Sequence, residues 1–152
     1  VIDAARLATT RALSGLSAAS LDALADLAEP AVVDAGATVA TEGRTADWFA
    51  VVEHGRLAVE LFVPGRGPLV VATIGPGHLV GWSWRFPPHV WHFDVVAVDR
   101  TQLWRFDAAA VRAAAAAHPE LDRELTAVVA TTMARRLEAT RLQLADLYGR
   151  PT

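Results

Sequence analysis

The chain has 152 residues, 53% of them apolar, which suits one packed domain and excludes the disordered class. Its net charge of −3 gives no general nucleic-acid-binding surface, and all 14 basic residues are arginine. Cysteine is absent, so disulfides, thiolate catalysis and cysteine-ligated metals are excluded. No apolar run approaches the ~18 residues of a membrane span. The opening "VIDAARLATTRAL" has no apolar signal core, so a cytoplasmic location is expected.

Residues 4–29 are expected to be helical. The first stretch is weakly amphipathic. The second, "LSAASLDALADLAEP", is clearer: Ser17 is the N-cap, Leu21, Leu24 and Leu27 form a stripe, and Pro30 closes it. From residue 31 to 106 short apolar runs alternate with glycine-bearing turns. "VVEHGRLAVEL" predicts a hairpin turning at His54–Gly55, and "VPGRGPLV" a second with a looser tip. About eight short strands at this spacing predict a closed antiparallel sandwich or barrel. Gly43, Gly55 and Gly75 are read as turn formers, and Gly81 as a backbone approach to a pocket.

Asp107 caps a helix through "AAAVRAAAAA", which His118–Pro119 ends. Pro119 then opens a last helix over residues 120–147. Ala130, Met133, Leu137, Thr140, Leu144 and Leu147 fall on a seam of period 3.5. A helix this long cannot bury both faces on a small β domain, so a homodimer through residues 120–147 is expected. Arg135 and Arg136 read as a solvated face or an intersubunit ion-pair partner, with Glu138 close by.

The order helix, eight-stranded roll, short helix, long helix carries a resemblance. "EGRTADWFAVVEHGRLAVEL" (42–61), "IGPGHLVGW" (74–82) and "FDVVAVDRTQLWRFD" (93–107) resemble the cyclic-nucleotide-binding domain family, which includes the catabolite-activator-type (Crp/Fnr) regulators. The resemblance runs from about residue 13 to 147. It implies a single domain over residues 1–152, mainly β, a jelly roll with flanking helices. It also implies a regulatory sensor rather than an enzyme.

In that family the phosphate-binding cassette carries a Gly-Glu pair, a short helix, a loop, then Arg, a small hydroxyl residue and Ala. The glutamate holds the ribose and the arginine the cyclic phosphate. This chain keeps Gly81 but has Trp82 at the glutamate position. Trp91 falls at the arginine position, give or take one residue, followed by His92 and Phe93. Each lost charge-assisted hydrogen bond forgoes roughly 1.5–3 kcal/mol, so cAMP or cGMP binding of the usual kind is not expected, and no other cofactor is implied.

Three readings of "VGWSWRFPPHVWHF" stay open. Trp82 and Trp91 plug the pocket. Or Trp82, Trp84 and Trp91 line a cavity for another ligand, anchored by Arg85, His89 or His92. Or the backbone after Gly81, with Ser83 and Arg85, holds a small anion. Metal binding through His89 and His92 lacks the His-x-His and glutamate pattern of metal-binding barrels. No nucleophile motif, Walker loop or Gly-x-Gly-x-x-Gly occurs. The alternative is the sensor half of a Crp/Fnr-type transcription regulator that takes a cyclic nucleotide or another small ligand. The 152 residues carry no helix-turn-helix after the long helix, so DNA reading by this stretch is not expected.

Overall fold

The computed structural model describes residues 2–149. Two antiparallel four-stranded sheets face each other in a jelly roll. One has the order β1 (Glu29–Val33), β8 (Thr101–Asp107), β3 (Trp48–His54), β6 (Leu79–Val80). The other has the order β2 (Thr38–Ala40), β7 (Asp94–Ala97), β4 (Leu57–Val63), β5 (Gly67–Ile74). Helices α1 (Ala4–Ala8) and α2 (Ala18–Ala25), with a 3-10 turn at Arg11–Leu13, precede the roll. Helices α3 (Ala108–Ala117) and α4 (Pro119–Tyr148) follow it.

The predicted caps form. Ser17 accepts a hydrogen bond from the Ser20 N–H, and Asp107 from the Ala110 N–H. The helical expectation for residues 4–29 overreaches at its end. α2 stops at Ala25 and β1 begins at Glu29, taking in Pro30. Proline is tolerated there because β1 is an edge strand, pairing only with β8.

The expected hairpin at His54–Gly55 is corrected. β3 pairs with β8 and β6, whereas β4 pairs with β5 and β7, so the turn carries the chain from one sheet to the other. Gly55 is required at this corner. It sits at φ +97°, and a Cβ there would lie 2.5 Å from Thr101 Oγ1. The 63–70 hairpin forms as read, with Val63 opposite Gly67.

Trp48 through Val52 of β3 are all buried, so this strand is covered on both faces. Phe49 stacks on Phe106 at 4.9 Å, α3 packs against β3 and β8, and α4 packs against β5 of the other sheet. α4 anchors through Leu121, Leu125 and Val129. Beyond Val129 none of its described residues is buried, and Leu137 is 71% exposed. Among the described residues no helix is long and apolar enough to cross a membrane.

Candidate functional site: the 79–93 cassette

β6 pairs Val80 with Ala50 of β3 and delivers the chain to Gly81 at φ +92°. A 3-10 turn follows at Ser83–Arg85. The loop then passes a cis Pro87–Pro88 bond and His89, at φ 56°. The segment is laced to residues 43–46. The Trp91 N–H donates to the Arg44 carbonyl at 2.9 Å, the Gly43 N–H to the Trp91 carbonyl at 2.8 Å, and the Ala46 N–H to the His89 carbonyl at 2.7 Å.

These bonds fix Trp91 with its indole turned inward. It is buried against Trp48, with ring centroids 5.0 Å apart. Its far edge meets Gly81: a Cβ on residue 81 would come 2.7 Å from Trp91 Cη2. Gly81 is therefore needed twice, for a left-handed backbone and for the indole beside it. Trp82 stacks on the His92 ring at 4.9 Å, and His92 Nδ1 lies 2.9 Å from the buried Ser83 Oγ.

The cavity left between these groups measures about 10 Å³. That is at most room for one water, which needs ~10–15 Å³. Gly81, Trp82, Ser83, Trp91 and His92 all line it. Trp84 and Arg85 do not. Trp84 is buried in the core, stacked on Phe49 at 4.3 Å, and its Nε1 has no hydrogen-bond partner. Its carbonyl accepts from Arg112 Nη1 at 2.8 Å, tying the cassette to α3. Arg85 turns toward α4, where it pairs with Asp122 and lies 3.2 Å from Thr126 Oγ1.

One lining residue comes from outside the cassette. Arg136 of α4 borders the same cavity. The solvated-face reading of Arg135–Arg136 is therefore corrected for Arg136, which is half-buried; Arg135 is exposed. Glu138 pairs with Arg141, not Arg136. Burial pushes the Arg136 guanidinium below its ordinary value. The signal was present in the sequence: residues 125, 129, 132 and 136 step by four, three and four, so Arg136 continues the stripe that α4 turns to the roll.

The cleft thus holds stacked aromatic rings, one Ser–His contact and one desolvated guanidinium. Among the described residues no group of three or more His, Cys, Asp or Glu converges to hold a metal.

Comparison with known proteins agrees with this architecture. The family model of the cyclic nucleotide-binding domain matches residues 30–118, more than half of the chain. Comparison with curated proteins gives no significant match. Among solved structures, a cyclic nucleotide-binding domain from Methylobacillus flagellatus KT superposes with a TM-score of 0.78 at 17% identity, over 90% of this chain and 76% of that one. The N-terminal domain of a transcriptional regulator from Streptomyces coelicolor A3(2) gives 0.70 at 20% identity, over 88% and 93%. The regulatory subunit of a cAMP-independent protein kinase A from Trypanosoma cruzi, bound to guanosine, gives 0.70 at 18%, over 96% and 50%. With its roll, its cassette segment and its flanking helices in this order, the chain belongs to the cyclic nucleotide-binding domain family.

Proposed function

We propose that this chain is a regulatory module of the cyclic-nucleotide-binding type whose cassette is filled by its own tryptophans, so that it does not take cAMP or cGMP in the usual way. The observation that carries this reading is the seating of Trp91 against Gly81, with about 10 Å³ left in the cleft. Charge alone would not carry it, because Arg136 restores a guanidinium at the border. Volume does: small-molecule sites measure ~300–1,000 Å³, and a cyclic nucleotide fits here only if a packed indole leaves. Trp82 also offers no carboxylate at the position where the family's glutamate meets the ribose.

On this reading the module acts in the cytoplasm as a homodimer joined through residues 120–147. The filled cassette holds one state of the roll against α4, and the dimer presents that state to a partner. Titration of cAMP and cGMP, followed by calorimetry and by tryptophan fluorescence, tests it. No saturable heat or quench is expected at micromolar ligand. Saturable micromolar binding overturns the reading, and native mass spectrometry of the purified protein reveals any retained ligand.

A second reading is the sensor half of a catabolite-activator-type transcription regulator. The likeness to the N-terminal domain of a Streptomyces transcriptional regulator favours it, since that alignment covers 93% of that chain. Gel-shift binding of promoter DNA by the full-length gene product separates the two.

A further inference from the structure

A second, larger cavity lies outside the cassette. It opens between the Arg11–Leu13 turn, β5 and the middle of α4, and measures about 460 Å³. That is within the ~300–1,000 Å³ range of small-molecule sites. Its walls are apolar, built by Leu16, Ile74, Leu79 and Val128 among others. Its ionisable lining is unbalanced: Arg11, Arg135, Arg136 and His78 face a single carboxylate, Glu124.

That carboxylate is already engaged. Glu124 accepts from the Ser17 N–H at 3.1 Å and lies 3.4 Å from Ser17 Oγ, at the start of α2. Among the described residues the ion pairs of this chain join Arg6 to Glu53, Arg56 to Asp99, Arg85 to Asp122 and Arg141 to Glu138. Arg11, Arg135 and Arg136 are in none of them. Arg135 Nη1 lies 3.4 Å from His78 Nδ1, and burial together with the Arg135 and Arg11 guanidinium groups holds the His78 ring below the ordinary histidine value. A half-buried guanidinium without an acidic partner is costly unless something anionic offsets it.

We propose that the cavity between the Arg11–Leu13 turn, β5 and α4 is a binding site for a small organic anion with an apolar body. The carboxylate, sulfonate or phosphate head meets Arg136 and Arg135 or Arg11, and the apolar part lies along Leu16, Ile74 and Val128. Arg136 borders this cavity and the cassette cleft alike. A ligand held by Arg136 therefore acts on the contact between α4 and the cassette without entering the cassette itself. The site does not depend on whether the tryptophans admit a nucleotide.

The test uses 8-anilinonaphthalene-1-sulfonate as a fluorescent probe on the intact chain, with octanoate and 1-octanol as competitors. The probe is expected to bind once per chain and octanoate to displace it, with 1-octanol at least ~10-fold weaker because it lacks the charge. Arg136→Gln and Arg11→Gln are each expected to weaken the probe about 10-fold. Ala127→Phe narrows the cavity from an exposed helix position and should abolish binding, while the circular dichroism melt shows the fold intact. Equal displacement by the alcohol and the acid overturns the proposal. So does binding that ignores all three variants, or binding lost as protein concentration rises because a second copy covers the cavity.

Discussion

The indole of Trp91 stands where a side chain on residue 81 would have to be: a Cβ added to Gly81 lies 2.7 Å from Trp91 Cη2 and 3.0 Å from Cζ3. Gly81 also sits at φ +92°. Gly81→Ala therefore combines a left-handed backbone, costing about 1–3 kcal/mol, with overpacking, costing about 1–3 kcal/mol. Urea denaturation is expected to show a loss of roughly 2–6 kcal/mol, the sum of those two costs. A loss too small to register would mean that the indole moves aside freely and that the cleft is not shut.

Removing the plug is the complementary experiment. Trp91 is 6% exposed and packs on Trp48, so Trp91→Ala is expected to cost about 3–5 kcal/mol and to leave an apolar hole. Such holes accept small apolar molecules of the shape removed. Indole should then raise the melting temperature of the variant and leave that of the wild type unchanged. Cyclic nucleotide should raise the melting temperature of neither protein, because Trp82 remains at the glutamate position and no arginine replaces Trp91. Rescue by cAMP would show that cavity volume alone bars the nucleotide.

The sequence made the roll legible because its strands are short, alternate with glycine and lead into a helix capped by Asp107 and a second opened by Pro119. Pairing was less accessible. Strand, His54–Gly55 and strand look alike whether the second strand folds back or crosses to the facing sheet. The difference lies in Thr101, which closes on Gly55 from 46 residues away. The cassette blurred for a different reason. Ser83, Trp84 and Arg85 occupy one 3-10 turn, where three residues make a full revolution. Successive side chains therefore diverge: Ser83 to the cleft, Trp84 to the Phe49 core, Arg85 to Asp122 of α4. Neighbours in sequence are therefore not neighbours in one pocket. Arg136, more than fifty residues from Ser83, reaches the cleft because α4 lies across the roll.

His78 makes the interface between α4 and the roll sensitive to acid. Its ring is held below the ordinary histidine value of 6.5, first by burial and then by the Arg135 and Arg11 guanidinium groups. On acidification the unfolded chain therefore takes up this proton before the folded chain does. The stability tied to a neutral His78 is complete above about pH 6.5 and is lost as pH falls below it. The melting temperature should fall more between neutral and mildly acidic pH for the wild type than for His78→Gln. Arg135→Gln should lessen the fall, since one of the two repelling cations is gone. Parallel pH profiles for wild type and His78→Gln would remove this account.

The distal half of α4 carries an exposed apolar stripe. A helix of 30 residues extends about 45 Å, yet its buried residues end at Val129. Beyond that point Leu137, Leu144 and Leu147 are 71%, 50% and 70% exposed. They continue one seam with Met133, at the spacing that lets two helices interlock. A helical segment whose apolar stripe faces water gains little from its own roll, because most helical stability comes from packing an apolar face. Pairing the stripe with its copy in a second chain removes the exposed leucines from water and orders the helix together. Leu137→Asp with Leu144→Asp places carboxylates on that seam. Neither position touches the core, so the roll should keep its circular dichroism spectrum. Light scattering should read a dimer for the wild type and a monomer for the double variant, with partial loss of helical signal from the freed segment. A wild-type chain that remains monomeric at the highest concentration reached, with α4 still fully helical, would mean that the stripe is not what orders the helix.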